Sequence, residues 1–459
     1  MRILVAEPIA AEGVAALQAK HDVDVRTGLS PDQIRAILPD YDALVVRSQV
    51  QVDAPTIAAG TRLQVVGRAG VGVDNVDLDA ATRAGVTVVN APTGNTIAAA
   101  EQTLALLFAV ARRIAAADAS VRRGEWKRAQ FQGMELRGRT LGIVGLGKIG
   151  LAIADRARAL EMPVLGVDPY VADEQAALHG VTLVDLPALL ARSDVVTFHV
   201  PLTRATTNLL DAKAIASMKR GAIVLNVARG GIVDEAALAE ALRSGHLGGA
   251  GIDVFVHEPP TGSPLLDAPN VVLTPHLGAS TAEAQVAVAE EVADQILDVL
   301  DGRAARYAVN APLVTPEAAR TIGPYLPLAE ILGRFFAQFA RTGVRTVTLE
   351  LAGELADADA APLTAALLRG LLENVTTERI NLINAGIVAK ARGITVVERK
   401  TRDAGTLSAS IGVSGSAGGR DVSVAGTAGG GEARIVRLNG YRLDMAPSDV
   451  MLITRHHDQ

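Results

Sequence analysis

The segment Leu141-Gly142-Ile143-Val144-Gly145-Leu146-Gly147-Lys148-Ile149-Gly150 runs from an apolar strand into three glycines at G-x-G-x-x-G spacing. A second apolar run, Val164-Leu165-Gly166-Val167, follows and ends in Asp168. Gly145 permits a tight turn, and Gly147 lets the backbone come close to a pyrophosphate. Gly150 lets the next helix pack tightly, so that the N–H groups at its start receive the anion. Asp168 stands where a carboxylate accepts hydrogen bonds from an adenosine ribose and repels a 2′-phosphate, which selects NAD over NADP. A competing pattern covers the same residues, because Gly142 to Lys148 also reads G-x-x-x-x-G-K. The residue after Lys148 is Ile149, which has no hydroxyl for magnesium, so the triphosphatase reading fails.

Three charged residues further on each follow an apolar run. Arg229 follows Leu225-Asn226-Val227-Ala228 and precedes Gly230-Gly231. Glu258 lies in Asp253-Val254-Phe255-Val256-His257-Glu258-Pro259-Pro260, and His276 lies in Leu273-Thr274-Pro275-His276-Leu277-Gly278. Doubly wound sheets bind ligands beyond the carboxyl ends of their strands, where these residues fall. Pro259 biases Glu258 to an extended backbone, and Pro275 stiffens the approach to His276. The set fits oxidation of a 2-hydroxy acid, in which hydride leaves the carbinol carbon for a nicotinamide. His276 has the intrinsic pKa of a base for the hydroxyl proton. Glu258 would fix its tautomer and stabilise the imidazolium. Arg229 would clamp the substrate carboxylate through two parallel hydrogen bonds and polarise the forming carbonyl. Read by position alone, a strand-end arginine is usually a surface or phosphate-steering residue, and a lone histidine is more often structural than catalytic. His199 also ends a strand and His257 adjoins Glu258, and spacing leaves both open as the base.

These residues need rigid elements to hold them. A length of 459 residues, 49% of them apolar, allows two to four domains with substantial cores. No apolar run reaches the ~20 residues of a membrane span, and the N-terminus reads as a first strand and not as a signal peptide. The chain has no cysteine, which excludes disulfides, thiolate catalysis and Cys-ligated zinc and suits the cytoplasm. A net charge of −6 without a basic block argues against nucleic acid as a partner. Strands are expected at 3–6, 44–46, 65–66 and 86–89, alternating with helices near 11–20 and 31–38. Residues 96–123, rich in Ala and Leu, should form one long helix joining two domains. The alternation resumes after Gly150, with strands at 164–167, 195–198, 223–226, 251–254 and 271–273 in one parallel sheet. A helix over 281–300 should return the chain to the first domain, making that domain discontinuous. Four prolines between 310 and 327 read as a linker. A helix-rich block at 363–392 and Gly/Ser-rich alternating segments up to Asp444 read as an α+β domain, with a type I′ hairpin at Leu438-Asn439-Gly440-Tyr441. Residues 449–459 read as a strand that stops without partners.

Taken in order, Gly145–Gly150 with Asp168, Asn226-Val227-Ala228-Arg229-Gly230-Gly231, His257-Glu258-Pro259-Pro260 and Thr274-Pro275-His276-Leu277-Gly278-Ala279-Ser280 resemble the D-isomer-specific 2-hydroxy acid dehydrogenases. The resemblance implies that Arg229, Glu258 and His276 are the catalytic triad, leaving His199 and His257 structural. It also implies that NAD is held by Gly145, Gly147, Lys148, Ile149, Gly150, Asp168, Val227, Ala228, Arg229, Asp253, His276 and Gly278. Val45-Val46-Arg47-Ser48, Gly67-Arg68-Ala69-Gly70-Val71-Gly72-Val73-Asp74-Asn75-Val76-Asp77 and Pro92-Thr93-Gly94-Asn95-Thr96 resemble the substrate loops of the branch that oxidises 3-phospho-D-glycerate to 3-phosphohydroxypyruvate, the first step of serine biosynthesis. In that branch Arg47, Ser48 and Asn95 match the positions that take the substrate phosphate, whereas Arg47 read alone is as easily half of a surface salt bridge. Lys127 and Arg128, after Trp126, resemble residues supplied by a neighbouring subunit.

The implied fold is α/β: two doubly wound parallel-sheet domains plus a C-terminal α+β domain. Residues 1–95 with 283–312 would form the substrate domain, 96–282 the Rossmann NAD domain, and 313–448 an intervening effector-binding domain. Residues 449–459 resemble the first strand of a small regulatory ACT domain. A cytoplasmic homodimer or homotetramer is expected, with a small-molecule substrate and neither membrane nor nucleic acid as partner. The alternatives are a sister dehydrogenase of an unphosphorylated acid such as glyoxylate or hydroxypyruvate, and an NAD-sensing binding protein of the same fold.

Overall fold

The computed structural model describes residues 1–311, 316–340, 344–373, 376, 380–417, 420–429, 432–448 and 450–454. The chain forms two compact units, Pro92–Val288 and a discontinuous one made of Met1–Ala91 with Ala289–Gln459.

Among the described residues, the discontinuous unit contains two of the three sheets. The first is fully parallel, in the order β2-β1-β3-β4-β5, from β1 (Arg2–Val5), β2 (Asp22–Val25), β3 (Ala43–Val46), β4 (Val65–Arg68) and β5 (Thr87–Asn90). β3 is buried at all four positions, as an unbroken apolar run between two helix layers requires. β2 is not among the expected strands, because Asp22 and Asp24 give half of it a loop's composition. It is an edge strand, and its register comes from pairing with β1. Ser30 and Gln33 close a capping box ahead of the helix Pro31–Ile37. The short helices Ala54–Ala59 and Leu78–Arg83, also unexpected, are capped by Asp53 and Asp77.

The second unit is built on seven parallel strands: β6 (Leu141–Val144), β7 (Val164–Val167), β8 (Val181–Leu183), β9 (Val195–Phe198), β10 (Ile223–Asn226), β11 (Gly249–Ile252) and β12 (Val271–Leu273). Their order, β12-β11-β10-β9-β6-β7-β8, reverses between β6 and β9, which is where such sheets open a ligand crevice. β11 sits two residues before its expected place. Gly249 and Gly251 carry it because Val110 and Leu106 of the helix Thr96–Ala111 press on it: a Cβ on either glycine would come within 2.5 and 2.9 Å of them. The single helix expected over 96–123 is two, Thr96–Ala111 and Ile114–Arg122, broken where Arg113 turns left-handed at φ 53°. The return helix spans Ala282–Leu300.

The third sheet, in the first unit, has the order β14-β13-β15-β16-β17-β18. It comprises β13 (Thr346–Gly353), β14 (Thr395–Thr401), β15 (Ala409–Ala417), β16 (Arg420–Thr427), β17 (Arg434–Leu438) and β18 (Tyr441–Met445), antiparallel except for the β13–β14 pair. Leu438 pairs with Tyr441 across Asn439 and Gly440, both at positive φ, giving the expected type I′ turn. Its core packs on the helices Tyr325–Ala340 and Ala361–Leu372. The expected linker is largely helical instead. Pro316 opens Pro316–Ile322 and Pro327 lies in the first turn of Tyr325–Ala340, positions where proline's missing N–H costs a helix nothing. Residues 312–315 lie outside the described residues. The strand expected at 449–459 is not seen over 450–454, which pair with nothing in the sheet; its other residues lie outside the described ones.

Candidate active site

The glycine loop follows β6. Gly145 has φ 96°, and a Cβ there would lie 2.4 Å from the His199 carbonyl oxygen. A Cβ on Gly150 would lie 2.1 Å from the carbonyl oxygen of Gly145, so this glycine is what seats the helix Lys148–Ala159 against the turn. Gly147 has no such neighbour: a Cβ would meet nothing within 4 Å. Gly147 is also the N-cap of that helix, and no side chain caps the N–H groups at its start, beside Lys148 and Ile149. An open approach to uncapped helical N–H groups fits a pyrophosphate. At the end of β7, Asp168 accepts the Leu146 N–H through Oδ2 and the Tyr170 N–H through Oδ1, both at 2.9 Å. Each oxygen retains a lone pair for ribose hydroxyls. Gly147→Ala is therefore expected to leave the melting temperature unchanged and to weaken NADH binding roughly tenfold or more, or 1.4 kcal/mol, in a fluorescence titration. Unaltered affinity would mean that no ligand reaches the backbone there.

The three charged residues stand at the ends of adjacent, in-register strands. Asn226 of β10, Ile252 of β11 and Leu273 of β12 lie side by side, so Arg229, the Glu258 loop and His276 leave the sheet at one level. Asn226, 2% exposed, shapes the first loop: its Oδ1 accepts the Ala228 N–H at 3.1 Å and its Nδ2 donates to the Arg229 carbonyl at 2.9 Å. The loops touch through glycines. A Cβ on Gly230 would lie 1.9 Å from the Phe255 carbonyl oxygen, and one on Gly278 would lie 3.1 Å from Val227 Cγ1. Val227 is buried and Ala228 half-buried.

Glu258 Oε2 is 2.8 Å from His276 Nδ1, and its Oε1 accepts the Phe255 N–H at 3.1 Å. Nδ1–H therefore donates to the carboxylate, leaving Nε2 as the basic nitrogen. The two side chains are 46% and 40% exposed, so a substrate can reach them. His276 itself sits at φ 55°, a left-handed backbone uncommon outside glycine. Asp253 holds it there. Fully buried, Asp253 accepts the Leu277 N–H and the Thr274 hydroxyl through Oδ1 (2.8 and 2.5 Å) and the Gly278 N–H through Oδ2 (2.9 Å), while its carbonyl takes the His276 N–H at 2.9 Å. This carboxylate, expected as a cofactor contact, also shapes the loop that presents His276.

The rival histidines separate clearly. His199 lies beside the glycine turn with Nε2 2.8 Å from Thr197 Oγ1, and burial pulls its pKa down to about 3, so it remains neutral. His257 is exposed next to Glu258, whose carboxylate is engaged by His276. One contributor escaped sequence reasoning. Glu235 accepts the Val256 N–H at 2.8 Å and the Ser263 hydroxyl, tying down both sides of the Glu258 loop. Next to the helix cap Asp234, an acid there already had a local explanation.

Asn95 belongs to the same unit. It is the N-cap residue of Thr96–Ala111 without capping it, and its Oδ1 is buried with no hydrogen-bond partner. Arg47 and Ser48 belong to the other unit, in the loop after β3, Arg47 half-buried and Ser48 exposed. Lys127 pairs with Glu125 at 3.2 Å, and Arg128 is exposed in the turn after Trp126. Among the described residues, no cluster of His, Asp and Glu could hold a metal ion, and no helix is long and apolar enough to cross a membrane.

Residues 104–278, which include the glycine loop and all three charged residues, match the D-isomer specific 2-hydroxyacid dehydrogenase, NAD binding domain family. Residues 321–439 match the D-3-phosphoglycerate dehydrogenase intervening domain. Over its whole length the chain is 44% identical to D-3-phosphoglycerate dehydrogenase of Archaeoglobus fulgidus and 45% identical to that of Synechocystis sp., spanning 88% and 83% of those proteins. The crystal structure of TT0316 protein from Thermus thermophilus superposes at a TM-score of 0.62 with 38% identity, over 67% of this chain and 100% of that one. The chain thus belongs to the NAD-dependent D-isomer-specific 2-hydroxyacid dehydrogenases. Within that family it falls among the D-3-phosphoglycerate dehydrogenases.

Proposed function

We infer that the protein oxidises 3-phospho-D-glycerate to 3-phosphohydroxypyruvate with NAD, the reaction that opens serine biosynthesis. The observation that carries the substrate is the likeness of the entire chain, intervening domain included, to relatives of that name. The chemistry rests on the His276–Glu258 pair. Nε2 of His276 takes the proton of the 2-hydroxyl, and Glu258, bonded to Nδ1, stabilises the imidazolium that results. Arg229 holds the substrate carboxylate and polarises the oxygen as it becomes a carbonyl. NAD, held at the Gly145–Gly150 turn and by Asp168, supplies the hydride acceptor. Arg47, Ser48 and Asn95 take the substrate phosphate.

Rates of NAD reduction across 3-phospho-D-glycerate, D-glycerate and other plain 2-hydroxy acids test this reading. A large advantage in kcat/KM for the phosphorylated acid is expected. Equal values would assign the protein to a sister activity on unphosphorylated acids. The protein works in the cytoplasm as a homodimer or homotetramer, consistent with the exposed apolar side chains Phe108, Ile114, Val121 and Trp126 on the nucleotide-binding unit. Light scattering that returned only monomer at working concentration would reject the oligomer.

A further inference from the structure

The end of β1 leads to an acid that the reaction does not use. Glu7 is 4% exposed, and its carboxylate is filled by the backbone of one loop. Oε2 accepts the N–H of Arg47 at 2.6 Å and of Val50 at 3.1 Å, and Oε1 accepts that of Gln49 at 3.0 Å. The opposite side of the loop is held as well. Asn75 Nδ2 donates to the carbonyls of Arg47 (2.9 Å) and Val50 (2.7 Å), and its own carbonyl accepts the Val52 N–H at 2.8 Å. A ring of converging backbone N–H groups is an anion site by construction, and here the anion is part of the chain. Charge-assisted bonds of this kind are short and directional, so they fix the loop's conformation rather than merely tether it. The loop so fixed is the one that carries Arg47 and Ser48.

We propose that Glu7, with Asn75 opposite it, is a positioning residue for recognition of the substrate phosphate. This rests on the reading above that Arg47 and Ser48 hold that phosphate. Glu7 touches no substrate; it sets where the guanidinium and hydroxyl stand. Its loss should therefore appear in binding of the phosphorylated acid and not in proton transfer or cofactor binding.

The test is Glu7→Gln, which turns an amide NH₂ toward backbone donors, read beside Asn75→Ala. Wild type and both variants are assayed with 3-phospho-D-glycerate and with D-glycerate. Each variant should raise KM for the phosphorylated acid on the order of 10-fold to 100-fold, as misplacement of a binding group does. Its kcat, its KM for NAD and its kcat/KM on D-glycerate should stay at wild-type values. Should Glu7→Gln fail to fold, the same split in Asn75→Ala decides the matter. Variants that keep the wild-type KM, or that lose turnover equally on both acids, overturn the proposal. A wild type indifferent to the phosphate overturns the parent reading and this one together, and is seen before any substitution is made.

Discussion

Replacing His276 by Asn is expected to lower kcat by about 10³-fold while NADH continues to bind. The side chain proposed to take the hydroxyl proton is lost, whereas the glycine turn after β6 and Asp168 are untouched. Asn is the right probe for a structural reason. His276 occupies a left-handed backbone at φ 55°, which Asn tolerates better than Ala or Gln. Its amide is also long enough to donate toward Glu258, the partner that His276 Nδ1 has at 2.8 Å. The lost activity then reports the missing base and not a collapsed loop. Single-turnover absorbance at 340 nm gives the rate, and fluorescence titration gives NADH affinity. Turnover within tenfold of wild type would remove His276 from the base role.

How much of this site could be read from sequence depended on whether a residue's job is imposed locally. The glycine turn was legible because Gly145 and Gly150 meet steric demands that no other residue satisfies, while Gly147 leaves the start of the helix open to approach. Apolar runs deliver Arg229, Glu258 and His276 to strand ends, which made their positions legible, but the choice of His276 over His199 and His257 rested on the family resemblance and not on spacing. The role of Glu235 and the loop-shaping bonds of Asp253 were not legible, since they consist of accepting backbone N–H groups from residues 21 or more positions away along the chain. Glu7 is an extreme case, its partners lying 40 to 43 residues on. The same limit governed the fold. β2 exists through its pairing with β1 despite two acids in four residues, and the place of β11 is set by a helix that crosses it. The helix Tyr325–Ala340 was hidden by prolines that lie only around its start.

Gly230→Ala should be the most damaging substitution that changes no reacting group, lowering kcat/KM about 100-fold. Gly230 is not among the residues at positive φ, so its backbone would accept alanine without strain. The obstacle is the next loop. The new methyl would lie 1.9 Å from the carbonyl oxygen of Phe255, 2.1 Å from its carbon and 2.6 Å from the Val256 nitrogen. Those are backbone atoms and cannot rotate away, so the loops after β10 and β11 must separate by more than an ångström. On one side of the contact stands Arg229. On the other, the Phe255 N–H holds Glu258 Oε1, and Glu258 in turn holds His276. The separation thus pulls Arg229 away from the His276–Glu258 pair while leaving all three side chains chemically unchanged. Overpacking at such a contact costs about 1–3 kcal/mol, a drop of several degrees in Tm rather than loss of the fold. NADH should still bind at the glycine turn after β6, which β9 separates from the displaced loop. A folded Gly230→Ala protein with wild-type kcat/KM would mean that the spacing of these two loops does not set the geometry of the triad.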